Sequence, residues 1–379
     1  MKLRSLILLL LSISQFSFVY AQFDTKVINH DGLNRTYYIH VPANYNASNP
    51  AAVVVWLHGM GNISVAEVKN QYPAHQFVPI ADTANFIILV PVAEDFPLLN
   101  MRAWNSQAGM LGISPNTDVD DFGYIDAMLD EVIDSLSINQ NKIFICGFSM
   151  GGFMTQRFAL QHNNRFAAYA SVGGTIGGNV LSMTPGRPIR IAHFHGTQDA
   201  TVGYVNNTFG MGAEEMLNFW IDNNACDTSP SLQLTYTDND PTNMSSILVD
   251  YSSYLNANAD VEFHKLNGAT HTWPVQTSQK IWDFFSKYEG VVSIKKNNPN
   301  KDLIKVYPNP ATNFITIQLP NKINSQILIS DIQGRILFSK QLNAIESRID
   351  IKEIGLRPGI YFIQIIYGSN TVFKKIIIK

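Results

Sequence analysis

Six residues, Gly147-Phe148-Ser149-Met150-Gly151-Gly152, restrict the fold more than any other stretch of the chain. The apolar run Ile143-Phe144-Ile145-Cys146 feeds straight into them, and Phe153 to Leu160 leaves with a pattern suited to a helix. A chain that passes from strand to helix through one serine must turn sharply. Glycines two places either side of the serine let the two elements approach while the turn holds the serine backbone strained. Such a turn lifts the hydroxyl to the carboxyl end of a parallel sheet, at a helix N-terminus. Ser149 is the candidate nucleophile; the plainer alternative is a chance glycine-rich turn.

The flanking sequence has the alternation that such a sheet needs. Ala51 to Leu57 and Phe86 to Val92 are apolar runs of the kind found in strands buried on both faces. Lys142 to Cys146, Ala168 to Val172, Ile189 to Phe194 and Val261 to Leu266 read as further strands. Lys26 to Asn29 and Arg35 to Val41 flank Asp31-Gly32, a hairpin signal. Asp121 to Leu136 carries an apolar stripe at helical spacing, and Gly151 to Gln161, Ala213 to Asn223 and Ser278 to Tyr288 are the other helix candidates. This order predicts an α/β domain, a mostly parallel sheet covered by helices on both faces.

A serine hydroxyl is a poor nucleophile until a base takes its proton, so an orienting acid and a histidine are expected after it, in that order. Asp199, in His195-Gly196-Thr197-Gln198-Asp199, and His271, in Gly268-Ala269-Thr270-His271-Thr272-Trp273-Pro274, each follow a predicted strand. A parallel sheet gathers its reactive groups in such loops. The rival bases are His58, His193, His195 and His264; His193 and His264 fall within strands, and His195 is placed to organise the acid loop. Asp118, Asp120 and Asp121 are rival acids whose position just before a helix suits capping. Two backbone N–H groups should hold the oxyanion, one from Met150 and one from Met60 in the loop His58-Gly59-Met60-Gly61. Trp104, Tyr204 and Trp273 lie in loops at the same end, as a wall for substrate or as packing beneath those loops. The set calls for no metal and no cofactor.

Composition removes other classes. Hydrophobic residues are 46% of the 379, enough for a sizeable core, and charged residues only 15%, which suits an extracellular surface. A net charge of −3 offers no field for nucleic acid, and two cysteines exclude a disulfide scaffold or a cysteine-built zinc site. Residues 1–21 have the parts of a secretory signal peptide: Lys2 and Arg4, the run Leu6 to Leu11, and the small-residue site Val19-Tyr20-Ala21. That run is far shorter than the roughly 20 residues a bilayer needs, so no transmembrane span is expected.

The chain changes character near residue 291. Residues 292–303 read as a polar linker between a domain over 22–291 and a small all-β sandwich over 304–379. From Lys295 onward there are 13 Lys and Arg against 5 Asp and Glu, whereas residues 22–294 hold 12 against 25. Units of opposite charge joined by a linker are expected to have separate tasks.

Two resemblances follow from these motifs. Leu57-His58-Gly59, Trp104-Asn105, Asp120 to Gly123, Gly147 to Gly152, His195-Gly196-Thr197 with Asp199, and His271-Thr272-Trp273-Pro274 occur in order. Together they resemble the secreted polyhydroxybutyrate depolymerase and feruloyl/acetyl-xylan esterase group of α/β-hydrolases, near carbohydrate esterase family 1. Val306 to Thr312, Asp331 to Arg335, Pro358 to Tyr361 and the terminal Lys374 to Lys379 resemble the type A sorting domain of the type IX secretion system of Bacteroidetes. The first resemblance implies an α/β-hydrolase fold and a serine esterase acting on an extracellular polysaccharide or polyester. The second implies export across the outer membrane through the type IX machinery, to a secreted or cell-surface destination. The enzyme is expected to be a monomer. A serine peptidase on the same fold, or a non-catalytic glycan or polyester binder, are the alternative readings.

Overall fold

The computed structural model describes residues 23–109, 114–205, 209–256, 259–288, 304–319, 325–331, 336–367 and 370–379. The leader expected over 1–21 and the linker expected over 292–303 lie outside the described residues. The chain divides into two compact units between Val292 and Ser293.

In the first unit β1 (Asp24–His30) and β2 (Leu33–His40) make the hairpin around Asp31-Gly32, and β3 (Ala51–Leu57) follows. Helices α1 (Val65–Val68) and α2 (Tyr72–Ala84) lead to β4 (Phe86–Pro91). A ribbon of β5 (Asp95–Phe96) and β6 (Met101–Arg102) precedes α3 (Asp121–Ser135). Then come β7 (Ile138–Phe148), α4 (Met150–Gln161), β8 (Ala168–Val172), β9 (Ile191–Gly196) and α5 (Ala213–Asn223). The unit ends with β10 (Leu232–Asn239), β11 (Ser246–Tyr254), β12 (Val261–Asn267) and α6 (Thr277–Phe285).

Ten strands form one sheet in the order β1-β2-β4-β3-β7-β8-β9-β12-β11-β10. Its centre, from β4 to β12, is parallel, and both margins are antiparallel. Strand side chains alternate between faces, and at the centre of the sheet both faces are dry. Val53, Val55 and Leu57 of β3 face one core with α3, α4 and α5, through Met128, Phe158 and Trp220. Val54 and Trp56 face the other with α2 and α6, through Phe77 and Phe285. That double burial is why β3 reads as an unbroken apolar run.

Helix α2 and the marginal strands β10 and β11 were not expected. Pro79 inside α2 masks its helical pattern, and β10 leaves most side chains exposed, so its sequence has no apolar rhythm. In the second unit β13 (Lys305–Tyr307), β14 (Phe314–Gln318) and β17 (Glu346–Asp350) form one antiparallel sheet. Strands β15 (Ser325–Ser330), β16 (Ile336–Leu342), β18 (Gly359–Tyr367) and β19 (Asn370–Ile378) form the other. Their core is largely isoleucine, including Ile315, Ile317, Ile327, Ile329, Ile363 and Ile376. No helix among the described residues is long and apolar enough to cross a membrane.

The acidic cluster before α3 divides its work. Asp120 caps the helix by accepting from Gly123 N at 3.0 Å. Asp121 is not a cap: it is buried, pairs with the equally buried Arg35 at 2.7 Å, and accepts from Asn105 N at 2.7 Å. Arg35 also lies over the Tyr124 ring and reaches Glu94. Removing one member of a buried pair strands the other charge, which costs about 3 to 5 kcal/mol. Arg35→Met should therefore lower the unfolding free energy by about that amount in urea denaturation; a loss below about 1 kcal/mol would show that Asp121 is held without its partner.

Candidate active site

Ser149 sits between β7 and α4 with φ at 56° and ψ at −120°, a conformation that side chains disfavour. The surroundings hold it there. A Cβ on Gly147 would lie 2.3 Å from Gly151 C, and one on Gly151 would lie 2.1 Å from Leu57 O, so neither position admits a side chain. Ser149 N donates to Val172 O at 2.8 Å, tying the turn to the end of β8. A Cβ built on Gly59 would stand 3.1 Å from Ser149 Cβ and 3.6 Å from its Oγ. The loop after β3 therefore lies directly against the hydroxyl.

Asp199 and His271, far apart in sequence, meet across the ends of β9 and β12. His271 Nδ1 donates to Asp199 Oδ2 at 2.6 Å. The other carboxylate oxygen accepts from Thr201 N at 2.9 Å and Val202 N at 2.8 Å. Burial pushes the Asp199 carboxyl up, but its bonds to His271 and Val202 and the nearby His195 outweigh that, leaving it below the usual carboxylate range. The imidazole of His271 stacks on Phe148, with ring centroids 4.7 Å apart, and a Cβ built on Gly173 would lie 3.1 Å from its Cε1. Phe148 immediately precedes Ser149, so the ring is held beside the turn. Among the described residues no hydrogen bond joins Ser149 Oγ to His271. Such bonds are often long in unliganded sites and tighten around substrate.

The two N–H groups singled out for the oxyanion differ in how they are held. Met150 opens α4, so its N–H belongs to the first turn, where a helix has no internal acceptor. Met60 belongs to the loop pinned by His58. His58 Nδ1 donates to Gly59 O at 2.7 Å, which leaves Nε2 bare to accept from Ala93 N at 3.0 Å. Burial pushes this imidazole down to about 4, since a second proton would have to sit against the Ala93 N–H in a dry site.

The aromatic candidates are corrected in two of three cases. Trp104 is 0% exposed and donates to His58 O at 2.8 Å, so it braces the loop from beneath instead of facing solvent. Trp273 is 3% exposed, donates to Ser278 Oγ at 3.1 Å and packs edge-on against Phe77 and Phe148. Loop position alone did not reveal that both side chains turn inward. Tyr204 is half-buried, donates to Glu214 Oε1 at 2.8 Å and meets the His195 ring edge-on. Sequence reasoning missed Phe148, although its place inside the hexapeptide was the available signal. Among the described residues the group spaced to share a metal ion is His30, Asp31 and Asp120; it lies at the β1–β2 turn, and Asp120 is already the α3 cap.

Residues 43–233, just over half of the chain, match the phospholipase/carboxylesterase family. The chain belongs to that family. The matched span of this carboxylesterase-family chain includes Ser149 and Asp199 and stops short of His271, and its first unit has the α/β-hydrolase fold. Residues 305–379 match the secretion system C-terminal sorting domain. A bifunctional acetylxylan esterase/xylanase of Neocallimastix patriciarum is 24% identical over 279 residues, covering 72% of this chain and 37% of that protein. Feruloyl esterase D of Neurospora crassa is 29% identical over 211 residues, covering 53% of this chain and 64% of that protein. The chain thus spans less than two-thirds of the length of these curated relatives. An acetyl xylan esterase structure from Aspergillus awamori is similar at a TM-score of 0.47 and 17% identity, covering 69% of this chain and 99% of that one.

The neutral state of His58 has a consequence for stability. Its folded value, about 4, lies below the ordinary 6.5, so the unfolded chain takes up the proton first as pH falls. The associated stability is complete above pH 6.5 and is lost between there and about 4, in all about 3 kcal/mol. Urea denaturation of the wild type should show this decline between pH 7 and 5, and His58→Gln should show a shallower one. Equal declines in the two proteins would refute the assignment.

Proposed function

We propose that this chain is an exported serine carboxylesterase whose triad is Ser149, His271 and Asp199. The observation that carries the reading is the 2.6 Å bond from His271 to the buried Asp199, made by a ring stacked against the residue before Ser149. In the reaction Ser149 Oγ attacks an ester carbonyl while His271 Nε2 accepts its proton. Asp199 keeps the imidazole in the tautomer that leaves Nε2 free, and its carboxylate balances the charge of the imidazolium that forms. The N–H groups of Met150 and Met60 receive the oxyanion, each contributing about 3 kcal/mol to transition-state binding. His271 then protonates the leaving alcohol, and water, activated by the same base, releases the acid from Ser149.

The substrate class comes from the relatives. Their names, acetylxylan esterase/xylanase and feruloyl esterase, favour small acyl or aryl groups esterified to a plant-type polysaccharide, with polyhydroxybutyrate as the alternative polymer. In this reading residues 22–291 are the hydrolase, following a cleaved leader over 1–21, and 304–379 are the address read by the type IX machinery. An enzyme for extracellular polymers has to be exported, and the C-terminal sorting domain supports that destination. Tyr204, half-buried beside the acid loop, is the remaining aromatic candidate for substrate contact.

The test is turnover by the full chain, wild type and Ser149→Ala, on p-nitrophenyl acetate, methyl ferulate, acetylated xylan and polyhydroxybutyrate. Ser149→Ala should reduce kcat by about a millionfold, the loss seen when a triad nucleophile is removed. Wild-type activity on acetylated xylan or methyl ferulate above that on polyhydroxybutyrate is the expected ranking. Substantial activity in Ser149→Ala would overturn the triad.

A further inference from the structure

Behind the acid loop runs a buried chain of hydrogen bonds that the reaction above does not use. Trp220 Nε1 donates to Gln156 Oε1 at 2.9 Å, and Gln156 Nε2 donates to Ser171 Oγ at 2.7 Å. Ser171 Oγ lies 2.7 Å from His193 Nδ1, and His193 Nε2 lies 3.0 Å from His195 Nδ1. His195 Nε2 ends the chain, 2.8 Å from Val202 O and 3.6 Å from Asp199 Oδ2. All five side chains are at most 4% exposed. They join α5, α4, β8 and β9, so the chain crosses the core from the outer helix to the triad acid.

Chemistry at the two ends favours one direction: it sets one lone pair, that of His193 Nδ1, 3.1 Å from Ser171 O, where the reverse sets that of His195 Nε2 against two acceptors. An indole N–H can only donate and a carbonyl can only accept. Gln156 must therefore turn its oxygen to Trp220 and its NH2 group to Ser171. The serine hydroxyl is then free to donate to a bare Nδ1 of His193, whose proton sits on Nε2 and points to a bare Nδ1 of His195. His195 carries its proton on Nε2, toward Val202 O and Asp199. Burial pushes both imidazoles down, so each holds a single proton at neutral pH and neither can donate in both directions. The opposite direction would set a lone pair of His195 against Val202 O and the Asp199 carboxylate at once.

We propose that His195 is a positioning residue for Asp199, and that the chain Trp220–Gln156–Ser171–His193 acts on the triad by fixing which nitrogen of His195 is protonated. The Nε2–H of His195 draws the Val202 carbonyl inward, and the N–H of that same residue holds Asp199 Oδ1. The turn is thereby clamped from both sides of one residue, with the carboxylate aimed at His271. This rests on Asp199 being the triad acid.

Ser171→Ala is the decisive variant, because it removes a donor more than one imidazole away from the acid and changes little volume. Without the hydroxyl, the proton of His193 can settle on Nδ1, where Ser171 O already lies 3.1 Å away. His195 must then donate through Nδ1, and its Nε2 becomes bare. In the full chain with 15N-labelled histidine, the wild type should show both residues protonated at Nε2, and Ser171→Ala should show both protonated at Nδ1. On p-nitrophenyl acetate kcat should fall by about tenfold to a hundredfold with KM unchanged, and Ser171→Thr, which keeps the donor, should restore it. His195→Phe should lose as much, His195→Gln should recover part, and His195→Phe should cost nothing further in an Asp199→Asn background.

If Ser171→Ala keeps the wild-type tautomers and kcat while Asp199→Asn is inactive, the proposal is wrong and the triad stands. Wild-type activity in Asp199→Asn would remove the triad and this proposal together. Should His195→Phe fail to fold, Ser171→Ala decides alone.

Discussion

The first turn of α4 lies so close to the ends of β3 and β7 that no side chain fits between them, and the site depends on that contact. With Gly151 against the Leu57 carbonyl and Gly147 against Gly151, the chain can pass from strand to helix in one residue. That residue, Ser149, is left with positive φ, a strain maintained by the packing of α4 through Met154 and Phe158 on one face of the sheet. The same contact places the orphan N–H of Met150 beside the hydroxyl and brings the His58–Gly61 loop against it. A larger residue at either glycine would separate these parts together, because they share one steric boundary.

The buried polar groups are arranged by a second constraint: in a dry interior each histidine must be told where its proton belongs. A carbonyl performs that task twice. Gly59 O holds the Nδ1–H of His58, and Val202 O holds the Nε2–H of His195, where the chain through Ser171 and His193 directs it. His30, His40 and His162 instead face carboxylates, of Asp120, Asp82 and Asp126. His271 combines the two situations. A buried carboxylate fixes one nitrogen, while 17% of the side chain stays accessible. That combination leaves Nε2, the base of the proposed reaction, outside the bond that holds the ring.

Most of this was legible in the sequence where the signal is local. The elbow announces itself because strand, glycines, serine and helix are contiguous, and Asp199 and His271 because each follows an apolar strand within a few residues. Direction of side chains was not legible. Trp104 and Trp273 stand in loops, yet both point into packing, since a loop residue is placed by what lies beneath it and not by its neighbours in sequence. Asp121 looked like a capping acid because its partner, Arg35, is 86 positions away on β2. Helix α2 was hidden by Pro79, which is tolerated because the apolar face still reaches Phe86 and Trp273 through Phe77. Strand β10 carries no apolar rhythm because most of its side chains are exposed.

The acid shows why so much of the interior near the site is polar when an apolar core would be simpler to fold. A carboxylate as buried as Asp199 would take up a proton unless donors surround it. A protonated acid could neither orient His271 nor balance the charge that the imidazole acquires in the proposed reaction. Two N–H groups of its own turn and one from His271 supply that environment, and a loop can deliver them only while its backbone is held still. Loops past the end of a strand have no ladder to hold them. The Val202 carbonyl is the handle that this turn presents to the interior, and an imidazole with its proton on Nε2 is the group that grips it. Polar residues from two helices and two strands are committed to that one orientation, which places the demands of a single ionised carboxylate at the origin of the network.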